Sequence, residues 1–188
     1  MDVVALGELL IDFTENGVSG QGNPLFEANP GGAPCNVLAM LSRLGHRTAF
    51  IGKVGNDFFG KQLEDAITEV GIDAAGLLKD DKVHTTLALV HTYPDGDRDF
   101  SFYRNPGADM MLMEEELPEE IIRGAKIFHF GTLSMTHPGV RAATKKRSRS
   151  QKKQARSFPL IRISANRSGT PWKMPGNRCY MVWDSVIF

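Results

Sequence analysis

The feature that most constrains the fold of this chain is an alternation of buried strand patterns with amphipathic helix patterns. The run "VVALGELLIDF" (3–13) predicts a strand covered on both faces, and a helical pattern follows over 34–44. "RTAFIGKVG" (47–55) predicts the next strand, and Asn56 or Asp57 can cap a second helix. Such an order implies βαβ units, and therefore an α/β fold with a mostly parallel sheet flanked by helices.

Residues 85–104 interrupt this alternation. "TTLALVHTY" and "DFSFYR" flank the turn sequence "PDGDR", which is the pattern of a β-hairpin. In its second arm Phe100, Phe102 and Arg104 share one face. Because an isolated two-stranded ribbon is marginally stable, we expect this hairpin to pack over another part of the protein, and a small β lid over a cleft is one such arrangement. An acidic helix over 114–123, a buried strand and the start of another helix follow.

The charge of the chain is divided unevenly, although its net formal charge is zero. Residues 1–144 hold 21 acidic and 11 basic side chains, a net of −10, whereas residues 145–188 hold 1 acidic and 11 basic ones, a net of +10. This asymmetry indicates either an appended arm with its own partner or two segments that were not selected together.

The cysteine content and the N-terminal sequence indicate where in the cell the protein is expected. Cys35 and Cys179 are far apart and in no metal-ligand spacing, so neither a disulfide framework nor a metal site is predicted. The start of the chain has no basic segment followed by a long apolar one, and no run is long enough to span a membrane. We therefore expect a cytoplasmic protein with no membrane partner.

The segment "NPGGAPCNVLAMLSRLG" (29–45) places two glycines directly before a helix. Glycines allow close approach of the backbone to a ligand, and a helix N-terminus offers free N–H groups, so this is either a ligand loop or a tight turn. Glu8 and Asp12 stand out in the preceding apolar run. A carboxylate is costly inside a buried strand unless it is paired or lies at the exposed end.

Five segments together resemble the ribokinase-like (PfkB-type) carbohydrate kinases, and within that family the fructokinases. They are "ALGELLIDF" (5–13), "GGAPCNVLAMLSRLG" (31–45), "FIGKVGNDFFG" (50–60), "FSFYRNPGADMML" (100–112) and "FHFGTLSM" (128–135). The resemblance implies a ribokinase-like fold and ATP-dependent phosphoryl transfer to a small-molecule sugar, with ATP and Mg²⁺ as cofactors. Lids in this family can pair between subunits, so a homodimer through the lid and a monomer both stay open.

The resemblance also implies a set of sugar-binding residues. By position these are Asp12, Gly31, Gly32, Asn36, Phe102 and Arg104. A carboxylate accepts hydrogen bonds from sugar hydroxyls, an amide both donates and accepts, and aromatic side chains on the lid exclude water. Two alternatives stay open: Asp12 could cap a turn, and Arg104 could be a solvated charge on the lid.

Two parts of the family pattern are missing from this sequence. The family's Gly-Ala-Gly-Asp turn, which supplies the catalytic base and an anion hole, does not occur, and neither does the mid-chain "DPN-x-R-x-x-LW" hallmark. We therefore expect residues 1–144 to be the N-terminal part of a kinase domain, truncated before the catalytic, ATP-binding and metal-binding residues. Such a chain would be inactive, or a sugar-binding remnant.

The basic tail (145–188) has a different explanation from a binding arm. Residues 145–169 permit codons that, with one base restored, read "KKAVEVAKEAGAVISFDPNLREPLW", which contains the missing hallmark. We predict a one-nucleotide deletion near codon 147 and a disordered, out-of-frame tail. The alternative is a nucleic-acid-binding protein whose polybasic arm binds phosphates, which explains the charge but not the recovered hallmark.

Overall fold

A computed structural model describes residues 1–93 and 95–145, and the backbone of 161–163. Nine strands are present in this part of the chain. They are β1 (Val3–Leu6), β2 (Leu10–Val18), β3 (Pro24–Gly31), β4 (Thr48–Gly55), β5 (Ile72–Asp80), β6 (Leu87–Thr92), β7 (Arg98–Tyr103), β8 (Ile127–Gly131) and β9 (Ile161–Ile163). The α-helices in this part are α1 (Ala33–Arg43), α2 (Phe58–Glu69) and α3 (Glu119–Arg123), and residues 138–145 are also helical.

The main sheet has the strand order β5-β4-β1-β8-β9, and every pair in it is parallel. Its central strand, β1, is buried along its whole length. One face packs on α1 and α2, through residues such as Leu38 and Leu63, and the opposite face packs on the segment 108–125 and the last helix. The predicted α/β fold with a parallel sheet between helices is therefore confirmed.

A second sheet, called the lid sheet below because it contains the predicted lid hairpin, has the strand order β3-β2-β6-β7. The predicted hairpin exists as the antiparallel pair β6 and β7, but it is half of a four-stranded sheet, because β2 pairs with β6 in parallel and with β3 antiparallel. The single strand predicted over 3–13 was wrong. The chain leaves the main sheet after β1, turns through Gly7, Glu8 and Leu9, and enters the lid as β2.

Other local predictions were wrong for identifiable reasons. Residues 15–30 have a Gly and Asn content typical of a loop, but they are mostly strand, since the exposed ends of β2 and β3 need no apolar alternation. The acidic helix over 114–123 is instead a 3-10 turn (Glu114–Glu116) followed by α3. Pro118 separates them, because proline has no N–H for a helical hydrogen bond.

Of the two residues predicted to cap the second helix, Asp57 is the cap of α2, and its side chain accepts a hydrogen bond from the Gly60 N–H at 2.8 Å.

The C-terminal segment is described only in small part. Residue 145 ends the described portion of a helix, and β9 pairs in parallel with β8. The predicted disorder of the rest of the tail concerns residues 146–160 and 164–188, which lie outside the described part. Within the described residues, no helix combines the length and the apolar character needed to cross a bilayer.

Candidate functional site

The candidate site lies where the lid joins the main sheet, around the N-terminus of α1. Gly31, the last residue of β3, pairs with Leu10 of β2. A Cβ at position 31 would collide with Oδ2 of Asp12, so the Asp12 carboxylate lies directly against the Cα of this glycine. The structure therefore brings together two of the residues that the sequence predicted, and any larger residue at 31 would displace the carboxylate.

Gly32 turns the chain from the lid into α1. Its φ of 124° is in the region that favours glycine, and a Cβ there would collide with the main-chain carbonyl oxygen of Glu8. The Gly32 carbonyl accepts a hydrogen bond from the Asn36 N–H at 3.0 Å, which places Asn36 in the first turn of α1 and half-buried. Gly31 is required because the Asp12 carboxylate lies against its Cα, and Gly32 because of its positive φ and its contact with the Glu8 carbonyl. The pair therefore does more than form a tight turn.

Asp12 lies in a row across the lid sheet. It pairs with Ala88 of β6, and Ala88 pairs with Phe102 of β7, so the three side chains share one face. Neighbouring strands are about 4.8 Å apart, which separates Asp12 from Phe102 by roughly 10 Å with only the small Ala88 between them. The opposite face, with Ile11 and Phe13, packs on the core. The row can therefore form one wall of a cleft.

The electrostatic state of Asp12 is unusual for an aspartate. Burial raises the pKa of its carboxyl to about 6. Among residues 1–93 and 95–145, no recorded hydrogen bond reaches this carboxylate. A partly buried carboxylate with no protein donor can accept hydrogen bonds from the hydroxyls of a ligand. The alternative that Asp12 caps a turn is wrong, because the residue lies in the middle of a paired strand.

Arg104 is not a solvated charge. Its guanidinium binds the Asp109 carboxylate through Nε (3.1 Å to Oδ1 and 2.8 Å to Oδ2) and Nη2 (2.6 Å to Oδ2). Its Nη1 donates to the Thr136 hydroxyl at 3.0 Å, after β8, and its side chain is 10% exposed. The sequence analysis predicted a role for Arg104 but none for Asp109. Asp109 lies in the same quoted segment, "FSFYRNPGADMML" (100–112), and that shared segment was the indication that could have identified it.

Phe102 stacks on Phe100, with ring centroids 6.1 Å apart and an interplanar angle of 16°. This contact confirms the prediction that the two rings share a face of the lid. Phe102 is 38% exposed, so a large part of the ring is available to a ligand or to another surface.

Glu8 is the residue whose importance the sequence only hinted at. It is 3% exposed, and its Oε1 accepts a hydrogen bond from the Ala33 N–H at 3.2 Å, at the start of α1. Burial, assisted by the nearby Asp109 carboxylate, raises its pKa to about 7. The sequence predicted an unfavourable desolvation of a carboxylate in the apolar run "VVALGELLIDF". The raised pKa of Glu8 reflects this desolvation, and Glu8 lies in the turn that joins the two sheets.

Within the described part of the chain, no group of three or more His, Cys, Asp or Glu side chains could hold a metal ion. Cys35 is a buried free thiol on α1.

Comparison with known proteins places these features in a family. The family model described as pfkB family carbohydrate kinase matches residues 1–173. The Arabidopsis thaliana protein named "Probable fructokinase-3" is 41% identical over 189 residues, which cover 98% of this chain and 54% of that protein. Fructokinase-2 of Oryza sativa subsp. japonica is 47% identical over 143 residues, covering 75% of this chain and 43% of the rice protein.

A solved structure agrees with these matches. The crystal structure of fructokinase with bound ATP from Xylella fastidiosa superposes with a TM-score of 0.76 and 32% identity, covering 87% of this chain and 51% of that one. The chain thus spans about half the length of the relatives it matches. The family match also extends past residue 144, into the segment predicted to be out of frame.

Proposed function

Because this chain belongs to the pfkB family of carbohydrate kinases, we propose that residues 1–144 form the sugar-binding part of a fructokinase. The proposed reaction transfers the γ-phosphoryl group of ATP to a hydroxyl of D-fructose and yields fructose 6-phosphate. The relatives named as fructokinases, at 41% and 47% identity, support this choice of sugar.

The half-buried Asp12 carboxylate beside Gly31 carries the proposal. With no protein donor on it in the described residues, it can accept hydrogen bonds from two sugar hydroxyls at once. Asn36, in the first turn of α1, would donate and accept, and the Gly32 backbone would allow close approach of the sugar. Phe102 would cover the apolar face of the ring, and Arg104 would reach the sugar from the lid side.

ATP and Mg²⁺ belong to the proposed reaction, and no step is assigned through the metal, because no group of three or more His, Cys, Asp or Glu side chains among the described residues could hold it. We propose that residues 1–188 alone bind the sugar without transferring phosphate, since the Gly-Ala-Gly-Asp turn expected to provide the base is not in this sequence. A cytoplasmic location and a homodimer paired through the lids are part of the same proposal. The exposed Phe26 and Tyr103 on lid strands support the pairing.

Calorimetric titration of the 188-residue chain with D-fructose tests the proposal. We expect binding to the wild type, and about a tenfold to hundredfold loss in the Asp12→Asn variant, because a hydrogen bond to a charged group contributes roughly 1.5–3 kcal/mol. Asp65→Asn, an exposed change on α2, is the matched control. Equal fructose affinity in wild type and Asp12→Asn would contradict the proposed site. Parallel titrations with D-ribose and 2-keto-3-deoxygluconate test the choice of sugar.

A coupled assay for ADP release measures catalysis separately. We expect no fructose-dependent ADP from the 188-residue chain at saturating ATP and Mg²⁺. Fructose-dependent release would show that the chain is an active short kinase, and would contradict the proposed loss of activity while supporting the assigned reaction.

A further inference from the structure

One carboxylate connects the two chain segments that lead into and out of the lid. Thr86, directly before β6, donates its hydroxyl hydrogen to Asp109 Oδ1 at 2.6 Å. Arg104, directly after β7, binds the same carboxylate through Nε and Nη2. Asp109 itself lies in a 3-10 turn, Ala108–Met111, that packs on the main sheet. The entry and the exit of the β6–β7 hairpin are therefore joined at Asp109.

The same cluster is also bound to the segment that follows β8. Arg104 Nη1 donates to the Thr136 hydroxyl at 3.0 Å, and Nη2 approaches the Leu133 carbonyl at 3.4 Å, both in the segment that follows β8. Through Asp109 and Arg104, the lid is thus connected to the edge of the main sheet where the carboxyl ends of β1 and β8 lie side by side.

The cluster is closely packed as well as hydrogen-bonded. Thr86 is 1% exposed and the Asp109 side chain 2% exposed. Gly107 lies directly over it: a Cβ there would collide with the Thr86 hydroxyl and stand 2.9 Å from both Arg104 Cγ and Asp109 Oδ1. The backbone at Gly107 has φ −102°, which any residue adopts, so only this close contact requires glycine.

The cluster lies next to the proposed sugar-binding row. Thr86 comes two residues before Ala88, and Arg104 comes two residues after Phe102; continuing the β6–β7 register by one residue beyond its last pair sets Thr86 opposite Arg104. Arg104 is therefore held one row away from Asp12, Ala88 and Phe102. Its position relative to a sugar on that row is determined by Asp109 and Thr86.

We infer that Asp109 and Thr86 are positioning residues, which clamp the two lid connections together and hold Arg104 beside the sugar. The inference rests on the proposed function for the role of the sugar, whereas the clamp itself is independent of it. Loss of one clamp contact would let the β6–β7 hairpin open more often, and it would remove Arg104 from its bound position without changing Asp12.

Two variants of the full 188-residue chain test this. Thr86→Val removes the hydroxyl donor with little change in volume, and Gly107→Ala inserts a methyl group into the cluster. Their matched controls are Thr92→Val, exposed on the same strand β6, and Gly124→Ala, where an added Cβ would meet nothing closer than 3.5 Å. Amide hydrogen exchange of β6 and β7, compared with β1 and β4, reports lid opening. Titration with D-fructose reports the binding consequence.

We expect at least about tenfold faster exchange in β6 and β7 for both variants, with β1 and β4 unchanged, and about tenfold weaker fructose binding. Thr86→Ser, which restores the hydroxyl, should recover both properties. Unchanged exchange in folded Thr86→Val would overturn the clamp, and faster exchange with unchanged fructose affinity would overturn the positioning role. A wild-type chain that binds no fructose would contradict the proposed function, and the exchange rates would still decide the clamp.

Discussion

The buried carboxylate of Glu8 accepts a hydrogen bond from the Ala33 N–H at 3.2 Å, and so connects the turn after β1 to the first turn of α1. The second carboxylate oxygen, Oε2, lies 2.7 Å from where a Cβ on Gly131 would stand. Glu8 is therefore enclosed by the ends of two neighbouring parallel strands and by the helix that begins at the candidate site. The protonation of this residue should affect the stability of the whole junction.

The stability of the protein should depend on pH through Glu8. The folded-state pKa of about 7 lies above the reference value of 4.5, so the native state keeps a proton that the unfolded state releases between these pH values. The free energy of unfolding should therefore fall as the pH rises through 7, by at most about 3 kcal/mol. Urea unfolding of wild type and Glu8→Gln from pH 5 to 9 measures this. In Glu8→Gln the free energy of unfolding should depend less on pH, and this variant should be more stable than the wild type above pH 7. The exposed control Glu69→Gln should show the same pH dependence as the wild type.

The affinity for D-fructose should depend on pH through Asp12. The ionised carboxylate accepts stronger, charge-assisted hydrogen bonds than the protonated carboxyl group, and burial raises the pKa of Asp12 to about 6. Binding should thus weaken as the pH falls through 6, by roughly tenfold between pH 7 and pH 5. Calorimetric titrations at pH 5, 6 and 7 measure the change. The same pH dependence in Asp12→Asn would assign it to another group.

The backbone at Gly32 should not accept a side chain. Gly32→Ala would place a methyl group against the Glu8 carbonyl at a φ of 124°, and such strain costs about 1–3 kcal/mol before the collision is added. We expect a loss of at least about 2 kcal/mol in the free energy of unfolding. Gly20→Ala is the control, because an added Cβ at Gly20 meets nothing within 4 Å. Similar unfolding midpoints for the two variants would show that the strain is relieved elsewhere.

Asp57 should contribute to stability through two elements at once. Its carboxylate caps α2 and accepts hydrogen bonds from the Thr85 N–H at 2.9 Å and the Thr85 hydroxyl at 2.7 Å. Burial opposes ionisation, but the bonds from Thr85 and Gly60 outweigh it and lower the pKa. Thermal and urea unfolding of Asp57→Ala should show a loss of about 2 kcal/mol, and Asp57→Asn a smaller one.

The sign of the Asp57 effect on pH dependence follows from its lowered pKa. The stabilisation is present above the reference value of 3.8 and should be lost as the pH falls through the folded-state pKa. Asp57→Ala should therefore differ most from wild type near pH 6 and least at strongly acid pH. A constant difference at every pH would assign the loss to packing and not to the carboxylate.

Residues 147–188 should prove to be out of frame. Sequencing of the source gene across codons 140–190 should reveal one additional base near codon 147, after which the frame encodes "ISFDPN" and continues to a Gly-Ala-Gly-Asp turn. A frame that stands as given would contradict the deletion. In that case the polybasic segment would be tested for salt-sensitive binding to DNA or RNA, with a chain lacking 145–188 as control.

Much of the main sheet could be predicted from local pattern. β1, β4 and β8 are short, largely apolar runs, and α1 and α2 have clear helical periods, so their order indicated the α/β class, whereas β5, with Asp73, Lys79 and Asp80 in it, was not predicted. Glycines before a helix indicated a ligand loop, and the resemblance added Asp12 and Asn36. The lid sheet was largely missed, because the outer halves of β2 and β3 are solvent-exposed and polar, and the alternation used to detect strands is weak there.

The family resemblance, the βαβ order and the glycines at the α1 N-terminus could be read from local pattern, since they depend on neighbouring residues and on backbone sterics. The surroundings of the carboxylates depend instead on contacts between distant parts of the chain. Asp12 and Phe102 lie on one row, with Ala88 between them, because β2 pairs in register with the β6–β7 hairpin, which is far from it in the chain. Asp109 holds Arg104 and Thr86, and Glu8 holds Ala33, because folding buries these polar groups together, and a buried polar group is stable only when a partner is within hydrogen-bonding distance.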